Sequence, residues 1–146
     1  MKKKADFLEL FAVEKPIIGV IHLKGKTDQE IQERAKKEIQ IYSEHGIDAI
    51  LMENYYGDYV QLEKALQYVT SLDLPIPIGV NVLNVDPLGF HLANKYHLQF
   101  LQIDSVVGHV KPRDEASLQA FFDLYRAKTT AKLIGGVRFK YQPMLS

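Results

Sequence analysis

The sequence predicts an α/β protein built from a parallel βα repeat. Five short apolar runs, rich in β-branched residues, alternate with four segments whose apolar residues recur at helical spacing. Strict alternation of strands and helices is typical of parallel sheets with right-handed crossovers. The order βαβαβαβαβ therefore predicts one of two architectures. The first is the first five strands and four helices of a TIM-barrel-like fold, and the second is an open, doubly wound five-stranded sheet.

The first strand and the first helix show this pattern clearly. Residues 16–23 form a β-branched run that opens with a proline. Thr27 and Glu30 have the spacing of a capping box, in which each side chain satisfies a free backbone N–H of the first helical turn. Gly46 then supplies a left-handed stop to the helix.

The same alternation continues along the rest of the chain. Further strands are predicted at residues 48–54, 78–83, 100–104 and 132–140. Asp58 and Asp86 are predicted to be helix N-caps, with Pro87 at the first helical position after Asp86. The fourth helix begins at Asp114 or Glu115. We interpret Asp58 and Asp86 as capping residues and not as catalytic ones.

Composition narrows the class of protein. The 18 Lys and Arg residues balance the 18 Asp and Glu residues, so the chain lacks the broad positive field of a general nucleic-acid binder. No apolar run approaches the roughly 18–20 residues of a membrane span, and acidic residues interrupt any signal-like segment. With no cysteine, disulfides and thiolate chemistry are excluded. We expect a cytoplasmic protein with one domain at residues 15–146, preceded by an N-terminal extension at residues 1–14.

Every predicted strand ends in, or leads into, groups that can ionise or hydrogen-bond. Ligands bind beyond the carboxyl ends of the strands in both candidate folds. The polar residues at these positions are His22, Glu53, Asn54, Asn81, Asn84, Asp104, Arg138 and Lys140. We predict that His22 and Glu53 transfer protons and that the other six residues bind substrate. No histidine has the spacing of a metal site, and the sequence specifies no cofactor.

These residues also allow other roles. A lone strand histidine is often only packed and hydrogen-bonded, and Glu53 has the simpler option of pairing with Lys140 or Arg138. Glu53 and Asp104 on alternate strands would suit a carboxylate pair for proton transfer or for a divalent cation. The tyrosines after the second strand, Tyr55, Tyr56 and Tyr59, suit stacking on a sugar or a base, or a lid or an interface.

Three strand segments resemble one known family. Residues 15–23 (KPIIGVIHL), 46–54 (GIDAILMEN) and 77–84 (PIGVNVLN) are similar to the BtpA/SgcQ family. The resemblance implies a phosphate-binding-type TIM barrel and an enzyme of uncertain substrate. It also implies that His22, Glu53, Asn54, Asn81 and Asn84 lie in a pocket at the barrel mouth. The segment around Asp104 departs from the family pattern, and family members continue through strands six to eight.

The leading functional hypothesis is therefore a BtpA-like barrel enzyme, represented by its first five strands. It would perform acid/base chemistry on a small, anionic, phosphorylated or sugar-containing metabolite. Asn54 and Asn81 would orient the substrate and Lys140 would counter its charge. Five strands do not close such a barrel, so we expect homo-oligomers. The alternatives are an inactive remnant or assembly protein, and a flavodoxin-like module that binds a small ligand.

Overall fold

The structure, a computed structural model, describes residues 6–103 and 115–135 and contains one five-stranded sheet. The strands are β1 (Ile18–Ile21), β2 (Ala49–Glu53), β3 (Ile78–Asn81), β4 (Phe100–Ile103) and β5 (Lys132–Gly135). The helices are α1 (Asp28–Glu44), α2 (Tyr59–Ser71), α3 (Asp86–Lys95) and α4 (Glu115–Arg126). A short 3₁₀ helix, Asp6–Leu10, precedes β1. The predicted α/β fold with five parallel strands and four helices is confirmed.

The strands lie in sequence order, β1-β2-β3-β4-β5, and each pairs with the next in parallel. Over the described residues the sheet is open, with β1 and β5 at its edges. A doubly wound sheet reverses its strand order at a switch point, where its ligand binds. The sequential order of the described strands has no such reversal.

All four helices pack on one face of the sheet. A large apolar cluster joins the inward residues of α1, α2 and α3 to strand residues such as Ile21, Met52 and Val80, and α4 adds Phe121 and Tyr125. Parallel strands joined by right-handed crossovers place every helix on the same face when the strand order never reverses. The described sheet is open, so its strand pairing also agrees with the open-sheet alternative. The described helices all lie on one face of it.

The opposite face carries a smaller apolar cluster. Its buried members are Phe11, Ala49, Leu51 and Phe100. Phe7 and Leu10 of the 3₁₀ helix pack against them. Successive side chains of a strand point to opposite faces. Leu51 accordingly lies on this face and its neighbours Ile50 and Met52 lie on the helical face. The predicted N-terminal extension thus covers the start of the strands on the helix-free face.

Two of the three predicted helix N-caps are as expected, and α4 begins at Glu115, one of the two starts predicted for it. The Thr27 side chain accepts a hydrogen bond from the backbone N–H of Glu30, although Glu30 accepts from the N–H of Lys26 and not from that of Thr27. Asp58 and Gln61 form a complete capping box at α2. Gly46, at a φ of 74°, takes the predicted left-handed conformation after α1.

The predicted role of Asp86 as a helix N-cap is wrong. Val85 is the N-cap of α3, and Asp86 is the first helical residue and makes no side-chain capping bond. The cause is the turn before the helix, where Asn84 adopts a φ of 65° and the Val85 N–H donates to the Val82 carbonyl. This turn starts the helix one residue earlier than the Asp-Pro pair suggests.

Candidate functional site

Three polar side chains form a row at the carboxyl ends of β1, β2 and β3. Glu53 is in register with Asn81, and His22 directly follows Ile21, whose partner on β2 is Met52. His22 and Glu53 are therefore level with each other across the two strands. Glu53 lies two residues after Leu51 of the smaller apolar cluster, and His22 lies two residues after Val20, which packs against that cluster. The row is therefore on the helix-free face.

Glu53 is the central group of this row. Its carboxylate is buried, with 12% of the side chain exposed, and Oε2 accepts a hydrogen bond of 3.1 Å from Asn81 Nδ2. The other oxygen, Oε1, lies 3.9 Å from His22 Nε2. This distance is longer than a hydrogen bond, but it is one at which a protonated imidazole and a carboxylate attract each other. Asn81 thus fixes one oxygen, while the other faces the histidine.

His22 connects the buried carboxylate to solvent, because 47% of its side chain is exposed. The Tyr55 ring packs edge to face against the imidazole at a centroid distance of 5.7 Å, and Tyr56 lies at 6.3 Å. The Tyr56 N–H donates to the His22 carbonyl over 3.0 Å. The loops that follow β1 and β2 are therefore joined directly beside the histidine.

Asn54 and Asn84 occupy the loops, not the row. Asn54 Oδ1 accepts a hydrogen bond of 2.8 Å from the backbone N–H of Leu83, so Asn54 braces the loop after β3. Asn84 and Leu23 both have positive φ values, of 65° and 60°. Left-handed backbone is costly for a bulky residue such as Leu23, and such strain clusters at functional sites. Both strained residues lie just beyond the carboxyl ends of strands.

Asp86 is a group that the sequence interpretation set aside. The residue is 7% exposed, and its Oδ1 is buried without a hydrogen-bond partner in the described part of the chain. A buried carboxylate oxygen without a donor is unfavourable. Its place at the start of α3 stabilises the negative charge through the helix dipole. The Asp-Pro pattern suggested a cap, and no sequence signal distinguishes a capping aspartate from this buried one.

The structure brings together His22, Glu53 and Asn81 of the eight predicted site residues. Asn54 braces the loop after β3, Asn84 lies within that loop, and Asp104, Arg138 and Lys140 lie outside the described residues. Within residues 6–103 and 115–135, no three potential metal ligands among His, Cys, Asp and Glu lie together. In the same ranges, no helix is long and apolar enough to cross a membrane.

The fold and the row define a parallel βα protein with a polar cluster at the carboxyl edge of its sheet. A comparison with models of known protein families found no match. The chain is similar to uncharacterised archaeal proteins. One from Pyrococcus horikoshii is 30% identical over 114 residues, which cover 64% of this chain and 43% of that protein. One from Methanocaldococcus jannaschii is 25% identical over 113 residues, covering 65% and 43%. The chain spans less than half the length of the curated relatives it matches.

Proposed function

We propose that this chain carries the proton-transfer site of a cytoplasmic BtpA-like barrel enzyme that acts on a small anionic metabolite. The observation that carries the proposal is the row of His22, Glu53 and Asn81. A titratable imidazole open to solvent faces a buried carboxylate whose second oxygen is held by an amide. Pairs of titratable groups in contrasting environments are typical of acid/base sites.

Each member of the row has a distinct role in this proposal. His22 is the group that touches substrate, since its side chain is the more exposed one, and it accepts or donates the transferred proton. Glu53 stabilises the imidazolium that forms. Asn81 is a positioning residue, because it donates to Glu53 Oε2 and leaves Oε1 directed at the imidazole.

The barrel part of the proposal is supported by the strand order and by the placement of the helices. Sequential parallel strands with all described helices on one face are what consecutive (β/α) units produce. The polar row lies at the carboxyl ends of the strands, where barrel enzymes carry their active sites. Lys140, Arg138 and Asp104 remain sequence predictions for the groups that bind substrate.

The test is hydrogen exchange at carbon. A panel of sugar phosphates is incubated with the 146-residue chain in D₂O, and proton NMR follows the loss of signals from hydrogens next to carbonyl groups. General acid/base groups contribute about 10²–10⁴-fold to rate. We therefore expect His22→Asn and Glu53→Gln to slow exchange by at least about 100-fold.

The matched control is His91→Asn, which changes a histidine on α3, away from the row. It should leave exchange unchanged. Exchange that proceeds equally in the parent chain, in His22→Asn and in Glu53→Gln would show that the row transfers no proton. Absence of exchange for the whole panel would favour the inactive remnant.

A second proposal concerns self-association, which the exposed edge at β1 favours. Ile17, directly before β1, is 67% exposed, and Ile41 on α1 is 45% exposed. A groove of about 420 Å³ lies against β1 and α1 and is lined by Val20, His22, Glu38, Ile41 and Tyr42. Parallel addition of strands joins unlike edges, and over the described residues a second copy of the chain carries β5 at the opposite edge of its sheet. We therefore propose homo-oligomers that pair through this edge.

A further inference from the structure

We infer that the loops after β1 and β2 form a binding corner for the ring and phosphate of a phosphorylated sugar. The corner consists of Tyr55, Tyr56 and Lys24, beside His22. This inference rests on the proposed function, because it names the substrate class of the same site. Its evidence is separate from the row of proton-transfer groups.

The two tyrosine rings of the corner are exposed although they are packed together. Tyr55 is 52% exposed and Tyr56 is 57% exposed. Their centroids are 4.7 Å apart and their planes meet at 82°. Edge-to-face packing fixes both rings, so the apolar surface that they offer to solvent has a defined shape. An exposed aromatic surface next to titratable groups is typical of a ligand site.

The angle between the rings decides which ligand shape fits. A flat base binds best between parallel surfaces, whereas rings at 82° offer two surfaces that are nearly perpendicular to each other. A puckered sugar ring has an apolar C–H face that packs on the aromatic face, and hydroxyl groups around its rim. The corner therefore favours a sugar ring over a nucleobase.

Lys24 supplies the charge that an anionic ligand needs. Its Nζ lies 5.2 Å from the centroid of the Tyr56 ring, where the ring quadrupole holds the ammonium group. This places a positive charge beside the Tyr56 ring, which also packs against Tyr55 and lies 6.3 Å from the His22 ring. A phosphate on the sugar would meet Lys24 while the sugar ring packs on tyrosine and its reactive carbon reaches His22.

The corner is preorganised by the strand-end loops. The Tyr56 N–H bonds to the His22 carbonyl, and Leu23, fully buried between His22 and Lys24, anchors the first loop. Gly57 lies against Leu23, since a Cβ placed on Gly57 would be 2.9 Å from Leu23 Cβ. Less conformational entropy is lost on binding when the contact groups are already held in place.

The test is a binding experiment on the 146-residue chain with tyrosine ¹³C-labelled at Cζ alone, which gives one signal for each of the eight tyrosines. Tyr55→Phe and Tyr56→Phe assign two of them. The probes are ribose 5-phosphate, glucose 6-phosphate, fructose 6-phosphate, ribose, inorganic phosphate and adenosine. We expect at least one sugar phosphate to shift the Tyr55 and Tyr56 signals, and to do so at lower concentration than ribose, inorganic phosphate or adenosine.

Three variants test the assignment to these side chains. Tyr55→Ala and Lys24→Gln should each weaken sugar-phosphate binding by about threefold to tenfold, and Lys24→Gln should leave ribose binding unchanged. The matched control is Lys36→Gln, because Lys36 lies 4.9 Å from the Tyr68 ring in a similar pair on the helical surface. Lys36→Gln should bind the sugar phosphate as the parent chain does.

The outcomes separate this inference from the proposed function. Sugar phosphates that shift no tyrosine signal, tighter binding of adenosine, or equal binding by Tyr55→Ala and the parent chain would each overturn the corner. Loss of deuterium exchange in His22→Asn together with unchanged binding in Tyr55→Ala would overturn the corner alone. A third outcome is weaker sugar-phosphate binding in Tyr55→Ala and Lys24→Gln, with no deuterium exchange that depends on His22. This outcome would support the binding corner and overturn the acid/base function.

Discussion

At the scale of single residues, Asn81 shows how one amide organises a buried charge. Its Nδ2 donates to Glu53 Oε2, and both residues are at least nine-tenths buried. A hydrogen bond to a charged group stabilises more than one between neutral groups. We therefore expect Asn81→Ala to lower the free energy of unfolding by about 1–3 kcal/mol, measured by urea denaturation.

The control for Asn81 is another amide bond that lies at the surface. Asn94 Nδ2 donates to the Lys128 carbonyl over 3.0 Å in an exposed position. Water replaces such a bond readily, so Asn94→Ala should cost less than Asn81→Ala. If Asn81→Ala and Asn94→Ala lost the same free energy of unfolding, the burial of the Glu53 carboxylate would not strengthen its hydrogen bond with Asn81.

At the scale of strands and helices, the close approach of β3 and β4 depends on a glycine. A Cβ placed on Gly79 would lie 2.3 Å from Phe100 Cε2, because the phenylalanine ring covers the glycine on the helix-free face. Overpacking of this kind typically costs about 1–3 kcal/mol. We expect Gly79→Ala to be destabilised by this amount, and Phe100→Leu in the same chain to recover part of the loss, as a thermal or urea double-mutant cycle would measure.

Gly46 differs from Gly79 because it has room for a Cβ but a left-handed backbone. No atom lies within 4 Å of a Cβ placed there, but its φ is 74°. Gly46→Ala should therefore lose stability through backbone strain, by about 1–2 kcal/mol. Phe100→Leu should not recover that loss. Recovery in both cycles would show that Phe100 acts on stability without regard to Gly79.

The pairing of α2 with α3 includes an ion pair that makes stability depend on pH. Hydrogen bonds from Lys95 and then Tyr96 lower the pKa of Glu63 below its ordinary value of 4.5. A carboxyl whose pKa is lowered in the folded protein stabilises it above the unfolded pKa, and this contribution is lost as the pH falls through the folded pKa. The stability advantage of the parent chain over Glu63→Gln should therefore be present at pH 7 and shrink below about pH 4.5.

Denaturation curves between pH 7 and pH 3 would measure this effect, which should be small because both side chains are partly exposed and salt screens them. Lys95→Met is the partner variant. In that background Glu63→Gln should lose most of its pH-dependent effect. A pH dependence that is identical with and without Lys95 would place its origin elsewhere in the chain.

Helix starts were predictable where the signal is local. The Thr27 and Asp58 caps depend on residues within one turn, and both are confirmed. The prediction for Asp86 is wrong because the start of α3 depends on the left-handed turn at Asn84, which no residue type specifies uniquely. The alternation of strands and helices predicts a parallel sheet. It does not predict the order of the strands in that sheet, and this order decides that the described helices lie on one face.

The candidate site was predictable only in part. The rule that ligands bind at the carboxyl ends of strands selected His22, Glu53 and Asn81. Their contact depends on the register between strands, since a shift by one residue would turn Glu53 to the helical face. The role of Asn54 as a loop brace and the place of Lys24 above Tyr56 depend on loop conformation. Such contacts leave no periodic signal in the sequence.

At the scale of the whole molecule, the two faces of the sheet are covered differently, with the described helices on one face only. Its helix-free face is covered by Phe7, Leu10 and Phe11 near the start of the strands, and polar groups follow at the carboxyl ends. In the proposed barrel this gradient would correspond to packing layers below and the active site above. In the described part of the chain, the edge at β1 has no neighbouring strand. Unpaired edges with apolar side chains favour association.

The edge predicts a specific effect of one substitution. Ile17→Lys replaces a side chain that is 67% exposed and should keep the backbone bonds that join Ile17 to Asp48. A lysine at a sheet edge opposes strand pairing between molecules. We therefore expect the parent chain to form oligomers of its 16.7 kDa subunit and Ile17→Lys to shift them towards monomer, as light scattering across a concentration series would measure. Leu124→Lys on α4 is the matched control, because Leu124 is 51% exposed but lies away from β1. If Leu124→Lys dissociated the oligomers and Ile17→Lys did not, the interface would lie at α4 and not at β1. A parent chain that is monomeric at every concentration would contradict edge pairing altogether.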